Sequence, residues 1–127
     1  MADFNFELVS PERVLVSESV EHVVLPGSEG QLGVLAGHLP SIVKLKPGVI
    51  NVLSGSTITR SIYVRGGFAE INAQETTVLA EYALDIATAS QEAIASEIAI
   101  AEQDLADADN QDTYFMAQSA LDTLRAM

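Results

Sequence analysis

The sequence predicts an α+β chain: an N-terminal antiparallel β-sandwich over residues 1–84, followed by an antiparallel two-helix hairpin over residues 85–127. Three observations carry this prediction. Up to Glu81 the chain is a run of short segments rich in β-branched and aromatic residues, separated by Gly, Pro and Ser turn signals. After Glu81 the apolar spacing changes from steps of two to steps of three and four. The charge shifts at the same place: residues 1–83 hold nine acids against five bases, and residues 84–127 hold nine acids against Arg125 alone.

The elements follow in order. Phe4-Asn5-Phe6-Glu7-Leu8 alternates as a half-buried strand does, and Ser10-Pro11-Glu12-Arg13 is a turn. Val14, Val16 and Val20 are expected on one face of the next strand, with Ser17 and Ser19 on the other. His22 to Leu25 is a further strand. After an unusual glycine-rich stretch, residues 48–53 and 57–64 are β-rich around the turn Ser54-Gly55-Ser56. Gly66-Gly67 suits a bulge or a close backbone approach, and residues 68–72 and 76–80 complete the strands.

In the tail, Thr88-Ala89-Ser90-Gln91 has capping-box form, with Glu92 in the first turn. Ile94, Ile98, Ala101 and Leu105 make one apolar stripe. Asp109-Asn110-Gln111-Asp112 is a polar turn, and Tyr114, Ala117, Leu121 and Leu124 make a second stripe. Alanine fills both helices, so the hairpin is expected to pack lightly.

The glycine-rich stretch runs from Leu25-Pro26-Gly27-Ser28-Glu29-Gly30-Gln31 through Gly33 and Gly37-His38-Leu39-Pro40, and closes at Pro47-Gly48. Its glycines and prolines read as a long shaped loop, and such loops carry function. A phosphate cradle fits poorly. The spacing is G-x-x-G-x-x-G, and no Gly-Lys-Ser/Thr follows.

No enzyme constellation is present. The chain has no cysteine, no G-x-S-x-G elbow, and two histidines, His22 and His38, without metal-ligand spacing. No cofactor is implied. The formal charge of −12 argues against nucleic acid and against direct adsorption to anionic lipid. No apolar run approaches the ~20 residues of a membrane span, and Met1-Ala2-Asp3-Phe4 has no signal-peptide character, so a cytoplasmic setting is expected.

The order of motifs resembles the epsilon subunit of F-type ATP synthases, closely over residues 4–84. The resemblance rests on Val9-Ser10-Pro11-Glu12-Arg13, on P-G-x-x-G-x-x-G followed by His38-x-Pro40 and Leu45-x-Pro47-Gly48, on Gly66-Gly67-Phe68-Ala69-Glu70-Ile71, and on Thr77-Val78-Leu79-Ala80-Glu81. It implies a non-catalytic rotor subunit of the central stalk, peripheral at the cytoplasmic face of the inner membrane. Its implied partners are the gamma subunit and the c-ring, with a further possible contact to the alpha and beta subunits of the catalytic head. It points to Ser28, Glu29, Gly30, Gln31 and His38 for the ring, with Pro26, Gly27, Gly33, Gly37, Pro40, Pro47 and Gly48 as shaping residues. Some members bind ATP through Ile/Leu-Asp-x-x-Arg-Ala near the start of the first tail helix. Here Leu121-Asp122-Thr123-Leu124-Arg125-Ala126 fits the letters at the chain's end, making Asp122 and Arg125 weak nucleotide-site candidates. In the family it resembles, the tail hairpin can lodge against the catalytic head, where its basic residues meet an acidic segment of the beta subunits. This tail has nine acids and Arg125 alone, so the resemblance implies weak or absent inhibition of hydrolysis here. The other reading is a free-standing ligand-binding or enzymatic β-sandwich that uses the glycine-rich stretch as a pocket.

Overall fold

A computed structural model describes residues 3–127. Ten strands precede two helices: β1 Phe4–Val9, β2 Val14–Val20, β3 His22–Gly27, β4 Gly30–Leu35, β5 Ser41–Leu45, β6 Gly48–Ser54, β7 Thr57–Val64, β8 Gly67–Ile71, β9 Glu75–Ala80, β10 Ala83–Asp85, α1 Gln91–Asp107 and α2 Gln111–Arg125. The strands hydrogen-bond in the order β10-β7-β6-β3-β5-β8-β9-β1-β2, with β4 attached to β3. This sheet folds over on itself. Its inward side chains, among them Phe6, Leu8, Val23, Leu25, Ile50, Ile62, Val64 and Val78, are almost wholly buried in one core. Arg60 of β7 ties the seam where the ends approach. It lies 3.5 Å from Glu18 of β2 and 3.2 Å from Asp85 of β10.

The alternation in residues 4–8 is reproduced: Phe4, Phe6 and Leu8 point inward. One pairing differs from an all-antiparallel sandwich. β1 runs parallel to β9, with Asn5 opposite Glu75 and Val9 opposite Leu79. No hairpin joins these strands. Their pairing is a long-range closure that local turn chemistry does not encode.

Val14 also departs from expectation. The register slips between Leu8 and Val9, so Val9 pairs with Val14 while Leu8 pairs with Val16. The extra residue, Leu15, turns Val14 to the outer face, where it is exposed while Val16 and Val20 stay in the core.

The helix signals are offset by a few residues. The α1 cap is Ser90, whose Oγ accepts from Ala93 N at 3.0 Å, in place of the Thr88 box. The α2 cap is Asn110, so only Ala108 to Asn110 link the helices and Gln111 and Asp112 are already helical. Ala117, Ala120, Leu121 and Leu124 form the buried stripe of α2, and Tyr114 points outward.

The hairpin lies against the outer side of β7 and β10. Tyr63, Ala101, Ala120, Leu121 and Leu124 form a second small core, with Tyr82, Leu84, Ile98 and Leu105 around it. Leu84 pairs with Tyr63 in β10, so the last strand runs one residue past the boundary expected at 84. Arg65 and Glu97 join across this packing at 3.1 and 2.7 Å.

Candidate functional site

The glycine-rich stretch is mostly strand, which corrects the loop reading. β3 and β4 form a tight hairpin with Ser28–Glu29 as its turn and Gly27 opposite Gly30. Glycine is required at its end for two reasons. Gly30 has φ +133, outside the range of L side chains. A Cβ on Gly27 would sit 2.6 Å from the Gly30 carbonyl oxygen. Gly33, by contrast, is ordinary strand: its Cβ would meet only His22 Nε2, at 3.1 Å.

The hairpin is clamped at its base. Lys46 N donates to Pro26 O at 3.0 Å and Ser28 N donates to Lys44 O at 2.9 Å. A Cβ on Gly48 would lie 2.7 Å from Pro26 Cβ, so the Pro47-Gly48 corner can close on Pro26 only with glycine there. Pro26, Gly27, Pro47 and Gly48 are buried together at this base, and Ser28, Glu29, Gly30 and Gln31 are exposed at the tip.

Gly37, His38 and Pro40 lie elsewhere. They connect β4 to β5 at the other end of β4, roughly 20 Å from the tip at about 3.3 Å per residue. Gly37, at φ +84, donates its N–H to Ala73 O at 2.9 Å. The His38 ring faces its own chain, with Nδ1 2.7 Å from Leu39 O. The set Ser28, Glu29, Gly30, Gln31 and His38 is therefore split between two ends of the sandwich.

The strand register reveals a second surface that the sequence reading missed. Lys44 pairs with Phe68, Phe68 with Leu79, Leu79 with Val9, and Val9 with Val14. Directly paired residues share a face, so these five side chains form one row across five strands. Phe68 is 51% exposed, Leu79 49% and Val14 56%. Two residues along runs a parallel polar row of Glu70, Thr77 and Glu7, with Ile42 at its end and exposed. An outward apolar stripe with a polar border marks an interaction surface. The stripe begins at Lys44, whose carbonyl holds the base of the β3–β4 hairpin. The usable signal was the alternation in β8, where Phe68 and Glu70 face away from buried Ala69 and Ile71.

Beside the row, with Lys44 and Phe68 in its wall, a cleft of about 460 Å³ lies between the hairpin helices and the sheet. Leu45, Pro47, Phe68, Met116, Ala117 and Ala120 supply its apolar lining. Asp122 and Arg125 do not line it. Asp122 accepts from Gln118 at 2.9 Å, and Arg125 reaches Glu102 at 3.4 Å with both partners over half exposed. Among the described residues no group of three or more His, Cys, Asp or Glu is arranged to hold a metal ion. No helix among the described residues is long and apolar enough to cross a membrane.

Burial against the helices raises the Tyr63 hydroxyl pKa well above the usual range, and the Glu97 charge adds to the effect. Tyr82 shifts the same way, first from burial. Arg65 is held more firmly charged by its hydrogen bonds to Glu97.

Residues 3–86 match the family described as "ATP synthase, Delta/Epsilon chain, beta-sandwich domain". The chain is 46% identical over 123 residues to the ATP synthase epsilon chain of Parvibaculum lavamentivorans, covering 97% of this chain and 93% of that one. It is 45% identical over 114 residues to the epsilon chain of Hyphomonas neptunium, covering 89% and 84%. Among solved structures it resembles a chain in the mitochondrial ATP synthase OSCP/F1/c-ring assembly of Euglena gracilis, with TM-score 0.73, 22% identity and coverage of 99% and 81%. A chain of the Tetrahymena thermophila central stalk and c-ring assembly shares the fold at TM-score 0.62 and 15% identity, covering 98% and 92%.

Proposed function

We propose a coupling role from one premise: the chain belongs to the ATP synthase delta/epsilon family. It is a non-catalytic rotor subunit of the ATP synthase central stalk. Within that role we assign two contacts. The gamma subunit binds the row Phe68, Leu79, Val9 and Val14. The c-ring meets the β3–β4 tip at Ser28, Glu29, Gly30 and Gln31. His38 lies too far from the tip to join the same contact.

The observation that carries this reading is the junction at Lys44. The strand that starts the row, β5, also holds the base of the hairpin, so a load on the tip passes through backbone hydrogen bonds to the row. Torque transmission needs such stiffness, and a two-residue turn with a buried base has little freedom to bend. The acidic tip and tail have no affinity for anionic lipid, so attachment to the cytoplasmic face of the inner membrane runs through the complex. The hairpin helices inhibit hydrolysis weakly or not at all. Inhibition would bring their acids to the catalytic head, and against an acidic segment there like charges oppose docking. ATP has no assigned role at Asp122 or Arg125.

Co-purification in mild detergent tests the assignment. The intact chain is expected to hold gamma and the c-ring together. A Phe68→Glu, Leu79→Glu chain, still folded, is expected to lose gamma. Retention of gamma by that chain would refute the face.

A further inference from the structure

The way the hairpin seats is not what apolar burial alone would select. The helices leave Tyr114 54% exposed, Phe115 49% and Ile100 39%, while the seated face buries Leu121 and Leu124 to 1% beside Ala101, Ala117 and Ala120, and buries Glu97 to 4%. Of the nine acids beyond residue 83, Glu97 alone is buried. The alanines of that face fix a register only weakly, because neighbouring positions present similar small side chains, so its apolar selectivity rests on Leu121 and Leu124.

One polar contact adds a directional constraint. Glu97 Oε1 accepts from Arg65 Nε at 3.1 Å and Oε2 from Nη2 at 2.7 Å, a two-pronged fit with strict geometry. Arg65 is itself held in place. Its backbone N donates to Tyr82 O at 3.0 Å, and its guanidinium lies 4.9 Å from the centroid of the Tyr82 ring. The following Gly66 and Gly67, at φ +150 and +143, fold the chain so tightly that a Cβ on Gly67 would overlap the Leu79 carbonyl. The cation therefore sits on the sheet and the anion on the helical hairpin.

We infer that the Arg65–Glu97 pair, acting with the burial of Leu121 and Leu124, fixes the register in which the helical hairpin seats against the sheet. Any slipped or rotated arrangement would bury Glu97 without its partner or leave Arg65 unpaired over Tyr82. Breaking a buried pair is costly even where forming it gains little. The pair thus acts by penalising the alternatives.

The test uses the whole chain, which has no native cysteine. Ala120→Cys introduces a single thiol at a position that is 5% exposed when the hairpin is seated. Its reaction rate with a charged, water-soluble aromatic disulfide reports unseating, and far-UV circular dichroism reports the sheet. Glu97→Gln or Arg65→Gln should each raise the rate by about tenfold with the sheet signal unchanged. The double Arg65→Gln, Glu97→Gln chain should react no faster than either single one, because the two act as one unit. Single variants that react at the parent rate would overturn the inference. So would single effects that multiply in the double variant. A rate that rises only together with loss of the sheet signal would also overturn it, since the pair would then support the core and not the seating.

Discussion

Replacing Phe68 by alanine should weaken binding to gamma far more than it weakens the fold. The side chain is half-exposed, at 51%. A phenylalanine offers about 200 Å² of surface, so about 100 Å² is left for a partner to cover. At ~25 cal/mol per Å² that area is worth about 2.5 kcal/mol. In affinity this is a loss of roughly 70-fold. The intramolecular cost is smaller, because Phe68 stands on the outer face and is absent from the sandwich core. Isothermal titration of purified gamma with the parent and the Phe68→Ala chain measures the effect, and a thermal melt of each chain alone controls for folding. A loss below threefold, with both chains folded, would refute the reasoning. The row would then be ordinary surface.

Two further outcomes follow from the tail and the tyrosines. Tyr63 has its pKa raised by burial, so its contribution to stability is complete below its unfolded value of about 10 and is lost as the pH rises above it. The melting temperature should fall from about pH 9 to about pH 11, and a Tyr63→Phe chain should fall less over that range; equal falls would contradict this. Ending the chain after Asp85 keeps all ten strands and removes both helices. That chain should still unfold cooperatively, and ATP hydrolysis by the assembled complex should change by less than about twofold, given the like-charge opposition to inhibition. A several-fold rise would mean that the acidic helices meet a cationic partner.

The sequence made the strands and helices legible because their signals are local. Alternation in residues 4–8 and the change of period after Glu81 depend only on neighbours along the chain. The parallel β1–β9 pairing was not legible, since it joins residues about seventy positions apart with no turn to announce it. Val14 was misassigned because a single register slip reverses a strand's inward face. The glycines misled for a different reason. Gly27 and Gly48 are needed for closeness to Gly30 O and Pro26, not for unusual torsions, and closeness between chain segments appears only in three dimensions. Alternation in β8 marks Phe68 as outward, but the row as a whole was not legible, because its members come one from each strand and meet only through the register. The Arg65–Glu97 pair was hidden among nine tail acids that look alike in the sequence.

Coupling is the central claim, and ATP-driven proton pumping with a Gly30→Val chain tests it most directly. Nothing lies within 4 Å of the position a Cβ would take at Gly30, so the change strains only the tip's backbone, at φ +133. Neither the core nor the gamma row is touched. With the variant incorporated at the parent level, pumping should fall several-fold while hydrolysis continues. Pumping at the parent rate under full incorporation would contradict the account, because the tip would then carry no load.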